Sequence, residues 1–294
     1  MNEMNPVVID WQITSKCTRH CEFCYGPQHQ EMPTSDILKM IDNFEKIGVR
    51  VVGVTGGEPL TTPKIDEIFR YIKSKGMGIC LSSNVDLYEK YRDTILTNVD
   101  TMGIPIEGSS EDIHDGLRGN GNFQAVNYAL EDISKNSNIK FRIGTVITER
   151  NYKDLTNIEK LLSKYEDKII YWKLYEYIVY RPDIQNTNLA IKNRDDMLYE
   201  VSRLGKFLSN DSIIFDTLEK RSKSYFLIKP NGDVFVPTLN KETMVMDENV
   251  IGNVLNDPFI VLEKWRCSID PDGYNCPQRC IYRKDIKLKK EYID

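Results

Sequence analysis

Six apolar runs rich in β-branched residues alternate with six amphipathic segments over residues 7–208. The runs are VVIDWQI (7–13), VRVVGVT (49–55), MGICLSS (77–83), DTMGIPIE (100–107), KFRIGTVIT (140–148) and IIYWKLYEYIV (169–179). Each is short enough for a strand and carries little polar interruption, which suits strands covered on their outer face by helices. Residues 35–47, 63–75, 86–97, 122–135, 154–164 and 195–208 have helical period. In the first of these, Ile37, Met40, Ile41 and Phe44 fall on one face behind a Thr34/Ser35 cap. Strand–helix units in series predict a parallel α/β fold, as an open sheet or a barrel.

The alternation stops near residue 210. SIIFDT, SYFLIKP and DVFVPT follow closely, and Pro230-Asn231-Gly232-Asp233 reads as a hairpin turn. IGNV (251–254) and a short helix near 258–266 come next. Two units are therefore expected, residues 1–210 and a smaller α+β unit at 211–294.

The chain has 294 residues, 40% hydrophobic and 28% charged, enough to bury a large core. A net charge of −5 argues against a nucleic-acid backbone as principal partner. The start, MNEMNPVVIDW, has neither the basic nor the apolar segment of a secretory signal, and no run approaches the length of a membrane span. The expected compartment is the cytoplasm, with no membrane partner. There thiols stay reduced, and clustered cysteines bind metal more readily than each other.

Seven cysteines divide into Cys17, Cys21 and Cys24, then Cys80 alone, then Cys267, Cys276 and Cys280. The first group, in TSKCTRHCEFCYG (14–26), follows the first strand directly, at the carboxyl end where parallel α/β folds place active sites. Three thiolates are one short of a closed zinc site, and they suit an iron–sulfur cluster with one open iron. Zinc completed by His20 or His29 is the alternative. The second strand ends VTGGEPL (54–60). Gly56 and Gly57 permit close backbone approach to a ligand, and Glu58 adds an acceptor at the same sheet edge.

The CxxxCxxC set, with Phe23 before its last cysteine, followed one strand later by GGEP, resembles the radical S-adenosylmethionine (AdoMet) enzymes over roughly residues 5–180. The resemblance implies a partial (β/α)6 TIM-like barrel, which the strand–helix units match in number. It implies that Cys17, Cys21 and Cys24 hold a 4Fe-4S cluster whose open iron chelates AdoMet. Gly56, Gly57, Glu58 and Pro59 would line the methionine end, and Phe23 would pack near the adenine. Ser82 and Asn84 of LSSN are expected to reach the cofactor, and Glu107 to bond the ribose hydroxyls. Relatives often read Ser-x-Asp-Gly where this chain has Pro105-Ile106-Glu107-Gly108, so the serine has no counterpart here. His114 and Arg118, in EDIHDGLRGNGNF (111–123), are read as structural ties of a loop. Thr145 and Asn151 are further candidates to face the cofactor, Glu176 is read as packing, and Cys80 as a small buried hydrophobe.

The implied chemistry is reductive cleavage of AdoMet to methionine and a 5′-deoxyadenosyl radical, which abstracts a hydrogen atom from substrate. The electron would come from a donor such as flavodoxin or ferredoxin. No catalytic residue is assigned. The first strand starts near residue 7, so no leader-peptide-binding domain is expected. That favours a small substrate such as an amino acid, sugar or nucleoside, in natural-product-type biosynthesis. Modification of a ribosomally made peptide by the same chemistry is the alternative, and a non-enzymatic zinc protein a remoter one.

The tail, IKPNGDVFVPT…VIGNV…LEKWRCSIDPDGYNCPQRC, resembles a degenerate SPASM or twitch extension, which carries auxiliary 4Fe-4S clusters in many members. Asp270 stands where that pattern has its second cysteine, and Pro237-Thr238 where another is usual. Cys267, Cys276 and Cys280 are candidates for a second iron–sulfur cluster or a zinc ion, or are the remnant of a lost site. Two full auxiliary clusters are not expected, and redox-neutral chemistry is favoured over net oxidation.

Overall fold

The computed structural model describes residues 8–24, 26, 31–179, 185–240, 242 and 245–269. All six predicted strands form: β1 (Val8–Thr14), β2 (Val51–Gly56), β3 (Gly78–Ser82), β4 (Thr101–Pro105), β5 (Lys140–Ile147) and β6 (Ile169–Glu176). Each pairs in parallel with the next. The helices between and after them are α1 (Thr34–Lys46), α2 (Ile65–Ser74), α3 (Tyr88–Asn98), α4 (Glu111–Arg118), α5 (Asn122–Asn136), α6 (Leu155–Leu162) and α7 (Arg194–Ser202). The predicted apolar face of α1 is buried, but the expected Thr34/Ser35 cap does not form. Pro33 occupies the cap position, and no side chain bonds the free N–H groups there. Residues 111–118, expected as a loop, are helical. Glu111 and Asp112 sit in the first turn, Arg118 in the last, and His114 and Leu117 are buried.

The strands are two-faced. In β1, Ile9, Trp11 and Ile13 are buried in one core with the helices, and the Trp11 ring meets Phe44 of α1 edge-on at 5.3 Å. The alternate positions point inward and are more polar than the apolar runs suggested. Asp10, Ser82, Arg142, Lys173 and Tyr175 occupy them. A small apolar cluster of Val8, Val51 and Cys80 lies on this inner face at the amino ends of the strands, consistent with the reading of Cys80 as a buried hydrophobe.

Residues after 210 continue the same sheet. They form β7 (Ile213–Asp216), α8 (Leu218–Arg221), β8 (Leu227–Ile228), β9 (Asp233–Asn240), β10 (Val245–Asn253) and α9 (Pro258–Ser268). Among the described residues the order is β10-β9-β8-β1-β2-β3-β4-β5-β6-β7, a single ten-stranded sheet. β7 adds to β6 in parallel, and β8 adds to the far side of β1. The expected boundary at 210/211 is therefore not a break between sheets. The predicted hairpin turn forms between β8 and β9, with Lys229 N donating to Asp233 O at 2.8 Å and Gly232 at a φ of +87°.

Residues 217–226 carry the chain from one flank of the barrel to the other. Two buried groups fasten this crossing. Lys173 Nζ of β6 lies 2.9 Å from both Asp216 Oδ2 and Tyr225 Oη. Arg221 donates to Asp216 Oδ2 and to the Glu176 carbonyl. Among the described residues the sheet ends at β7 and β10 without closing, so the barrel is partial.

Candidate active site

Two loops meet over the carboxyl ends of β1 and β2. The cysteine loop is zipped to the end of β2: Gly57 N donates to Thr14 O at 2.8 Å and Glu58 N to Lys16 O at 2.7 Å. This contact requires the glycines. A Cβ on Gly56 would stand 2.3 Å from Thr14 O, and one on Gly57 would stand 2.2 Å from Lys16 O. Gly56 also holds a φ of +135°. The pair was expected to admit a ligand; its nearest neighbour is the backbone of the cysteine loop itself.

Glu58 and Pro59 are buried and do not line the cavity that the other predicted residues share. Glu58 Oε1 accepts from Leu60 N at 3.1 Å and Ser83 Oγ at 2.9 Å, and Oε2 accepts from Asn84 N at 2.7 Å. Burial pushes its carboxyl up to about 7 despite these three donors. The side chain thus ties the end of β2 to the end of β3. From there Asn84 Nδ2 donates to Thr18 Oγ1 at 2.8 Å and lies 3.7 Å from Cys17 Sγ.

A second set of ties holds the cysteine loop from the side of α4. Arg19 donates to Asp86 Oδ1 through Nε at 2.8 Å and Nη2 at 2.6 Å. Its Nη1 reaches the carbonyls of Arg118, Gly119 and Asn120, which complete the end of α4. Asn122, fully buried, uses every hydrogen-bonding position it has. Its Oδ1 accepts from His114 Nε2 and Arg118 Nε, both at 3.0 Å. Its Nδ2 donates to Asn84 O at 2.8 Å and Asp86 Oδ1 at 3.1 Å. His114 Nδ1 accepts from Glu107 N at 3.1 Å, so Nε2 carries the hydrogen. Burial pushes His114 down to about 4, and the ring is neutral near pH 7. His114 and Arg118 are ties, as expected. Asn122, Asp86 and Arg19 went unremarked in the sequence, where polar residues in loops and at helix starts carry no periodic signal.

Glu107 occupies a different setting from the one expected at a ribose. It is buried, with Oε1 2.9 Å from Arg118 Nη1 and Oε2 accepting from Val146 N at 2.7 Å. It does not line the cavity. Thr145 and Asn151 are also fully buried. Thr145 Oγ1 donates to Ile106 O and accepts from Trp172 Nε1, while Asn151 Nδ2 donates to the carbonyls of Glu107 and Val146. Glu176 pairs with Arg194 at 2.7 Å, away from the cavity.

These ties surround a cavity of about 970 Å³, near the upper end of the roughly 300–1,000 Å³ usual for ligand pockets. Cys17, Cys21 and Cys24 line it together with Phe23, Gly56, Gly57, Ser82 and Asn84. Arg118 is also in the wall, its guanidinium 5.6 Å from the Phe23 ring centre. Arg142, Tyr171 and Tyr175 line it as well. The two tyrosines carried no expectation from the sequence. The missed signal was a period of two, Tyr171, Lys173, Tyr175, inside an apolar run.

The thiols fit a cluster. Arg19 N donates to Cys17 Sγ at 3.4 Å and Gly26 N to Cys24 Sγ at 3.3 Å. Burial pushes Cys21 up to about 11 and raises Cys17 as well, so iron loading must displace protons. Among the described residues no three His, Cys, Asp or Glu side chains converge on one ion. In the tail, Cys267 is exposed on α9, and Cys276 and Cys280 lie outside the described residues.

The radical SAM superfamily profile matches residues 11–162, half of the chain. The chain belongs to the radical SAM superfamily, and it is an enzyme of that kind. Over 167 residues it is 29% identical to the AdoMet-dependent heme synthase of Methanosarcina barkeri, covering 53% of this chain and 47% of that one. It therefore spans about half the length of that relative. Over 277 residues it is 25% identical to the mycofactocin maturase MftC of Mycobacterium tuberculosis, covering 86% of this chain and 68% of that one. Two solved structures share the fold at 17% identity and 92% coverage of this enzyme. Streptococcus suis SuiB bound to S-adenosylmethionine has a TM-score of 0.64, with 67% of its chain covered. The protein anSMEcpe with bound AdoMet and a Cp18Cys peptide has a TM-score of 0.69, with 84% covered. Family membership implies AdoMet and a 4Fe-4S cluster. Among the described residues no helix is long and apolar enough to cross a membrane.

Proposed function

We propose that Cys17, Cys21 and Cys24 hold the 4Fe-4S cluster and that AdoMet lies in the adjoining cavity, against the backbone of Gly56 and Gly57, Ser82, Asn84 and Phe23. The observation that carries this is the zipper between the cysteine loop and the two glycines, which sets thiols and cofactor wall in one rigid unit. Bound there, the group supplies one-electron cleavage of AdoMet and, through it, hydrogen-atom abstraction from carbon. The residues of the chain do the rest. Glu58 and Asn122 fix the loops, Arg118 and Phe23 close one wall, and the sheet shields the deeper space from water.

The substrate reading is a small organic molecule held beneath AdoMet, with an external one-electron donor. A peptide substrate is the second reading. It is favoured by the maturase, whose match extends over most of this chain, and by the peptide bound in the anSMEcpe structure. Anaerobic reconstitution with iron, sulfide and dithionite tests the core of the proposal. The expected product is a brown protein that converts AdoMet to methionine and 5′-deoxyadenosine, and Cys17→Ala, Cys21→Ala or Cys24→Ala should abolish that conversion. A colourless protein that binds zinc instead would reject it. Residual iron in the triple variant would place a second cluster in the tail.

A further inference from the structure

Tyr175 stands one residue before the end of β6, at the carboxyl end of the sheet that also carries the cysteine loop. It lines the same cavity as Cys17, Cys21 and Cys24. Three neighbours hold its ring in place. Lys173 Nζ sits 5.0 Å from the ring centre and the Arg221 guanidinium 5.3 Å. Asp216 anchors both cations, Lys173 at 2.9 Å and Arg221 at 3.3 Å. On β5, Gly144 leaves room for the ring: a Cβ there would stand 3.5 Å from Tyr175 Cε2.

The hydroxyl is left over from this arrangement. Among the described residues nothing hydrogen-bonds it, and its oxygen is not buried. Neighbouring phenols are committed elsewhere. Tyr225 Oη accepts from Lys173 Nζ at 2.9 Å, and Tyr177 Oη donates to Asn186 O at 3.1 Å. Tyr171 also lines the cavity, but it is buried, has interactions of its own, and starts about 13 Å lower on the strand. Of the described thiols outside the cysteine loop, Cys80 is buried and accepts from Thr101, and Cys267 is exposed on α9.

The surroundings limit what this phenol can give up. Its proton is held, because burial opposes the phenolate and raises the pKa above the usual phenol value. Its electron is held too, because a positively charged ring beside two cations is repelled by both. Losing proton and electron together leaves the ring neutral and incurs neither cost. The setting suits transfer of a whole hydrogen atom.

We propose that Tyr175 is the hydrogen-atom donor of the chamber: its O–H hydrogen passes to a carbon radical in the cavity. The radical becomes C–H, and a neutral tyrosyl radical remains. One electron from the external donor and one proton from solvent then restore the phenol. The phenol O–H bond is weaker than an unactivated C–H bond, so the transfer runs downhill. The substrate, having lost one hydrogen atom, regains one and is not oxidised overall. This rests on the reading that the cavity is the reaction chamber.

The test needs no substrate, because the 5′-deoxyadenosyl radical itself serves as the carbon radical. Reconstituted protein is given AdoMet and dithionite in D2O, where the phenol carries deuterium. Most of the 5′-deoxyadenosine should be one mass unit heavier than that made in water. Tyr175→Phe should lose that deuterium while keeping wild-type iron content and AdoMet affinity, and Tyr171→Phe should retain it. Freeze-quenched EPR should show a tyrosyl radical that narrows in protein grown on ring-deuterated tyrosine and is missing from Tyr175→Phe. On the iron-free protein, N-acetylimidazole with peptide mass mapping should acetylate Tyr175 as well as Tyr199, which is 63% exposed. Undeuterated product from the wild type, or undiminished deuterium in Tyr175→Phe, overturns the proposal. So does Tyr175 left unmodified where Tyr199 reacts, or a Tyr175→Phe protein that no longer binds AdoMet, which would place the hydroxyl at the cofactor. Wild-type protein that forms no 5′-deoxyadenosine refutes the proposed function instead.

Discussion

The Arg118 guanidinium lies 2.9 Å from the Glu107 carboxylate, at the foot of the wall that carries Cys21 and Phe23. Both side chains are largely buried, at 11% and 2% exposure, so each is the main compensation for the other. Removing one partner of a buried pair typically costs about 3–5 kcal/mol. Glu107→Gln is expected to lower the stability of the apoprotein by about that much in urea, and Glu107→Gln/Arg118→Met by less than the sum of the single variants. Additive losses would mean that the two groups do not depend on each other.

Gly57→Ala separates cluster assembly from folding. The new methyl group would collide with Lys16 O and force the cysteine loop away from β2. Accommodating such overlap costs about 1–3 kcal/mol, which a protein of this size survives. The far-UV circular dichroism should therefore stay native while iron retained after reconstitution falls. Wild-type iron content in this variant would show that the zipper is not needed.

Glu58 gives a pH signature. Its folded value of about 7 lies above the 4.5 of the unfolded chain, so the native state binds more protons between those values. The group's contribution is full below pH 4.5, declines as pH rises, and is gone above about 7. At 1.4 kcal/mol per unit the change is on the order of 3 kcal/mol. Glu58→Gln, which does not titrate, should gain on the wild type between about pH 5 and pH 8 in urea titrations. A constant difference between the two proteins across that range would refute this.

His114 acts in the opposite direction. Its value of about 4, below the usual 6.5, means that stability is lost as pH falls through that window. Nitrogen-15 NMR should find one histidine as the Nε2–H tautomer, unchanged until about pH 4. A ring that titrates near 6.5 would break the link between Glu107 and Asn122.

The sequence was most legible where chemistry dictates spacing. Cys17, Cys21 and Cys24 could be read as a metal-binding loop because three thiols at that interval have few other uses, and the glycine pair because only glycine accepts such crowding. The six strands were visible because their outward faces are apolar without a break. Less visible were the inward positions. Arg142 and Lys173 sit singly in apolar runs, where one charge looks like noise until the register sets it beside Ser82 or Asp216. Glu58 and Glu107 were harder to read for another reason. A carboxylate at a strand end can face a ligand or brace a loop, and only the positions of Ser83, Asn84 and Arg118 distinguish the two. The expected break at 210 followed a real change of pattern. The change marks the end of strand–helix alternation, whereas the sheet runs on through β7 and β8.

That continuation has a consequence for how the molecule is made. β1 has two neighbours: β2, which follows it closely, and β8, whose Leu227 pairs with Asp10. On the ribosome, at about 5–20 residues per second, the outer edge of β1 waits on the order of ten seconds or more for its second neighbour. Through that interval the nascent chain displays an unpaired hydrophobic strand, the kind of edge that recruits other chains. Truncation before Leu227 would make the interval permanent. The strands from β8 onward then serve as a late clasp, and the yield of soluble protein should depend on them even in variants with no iron to bind.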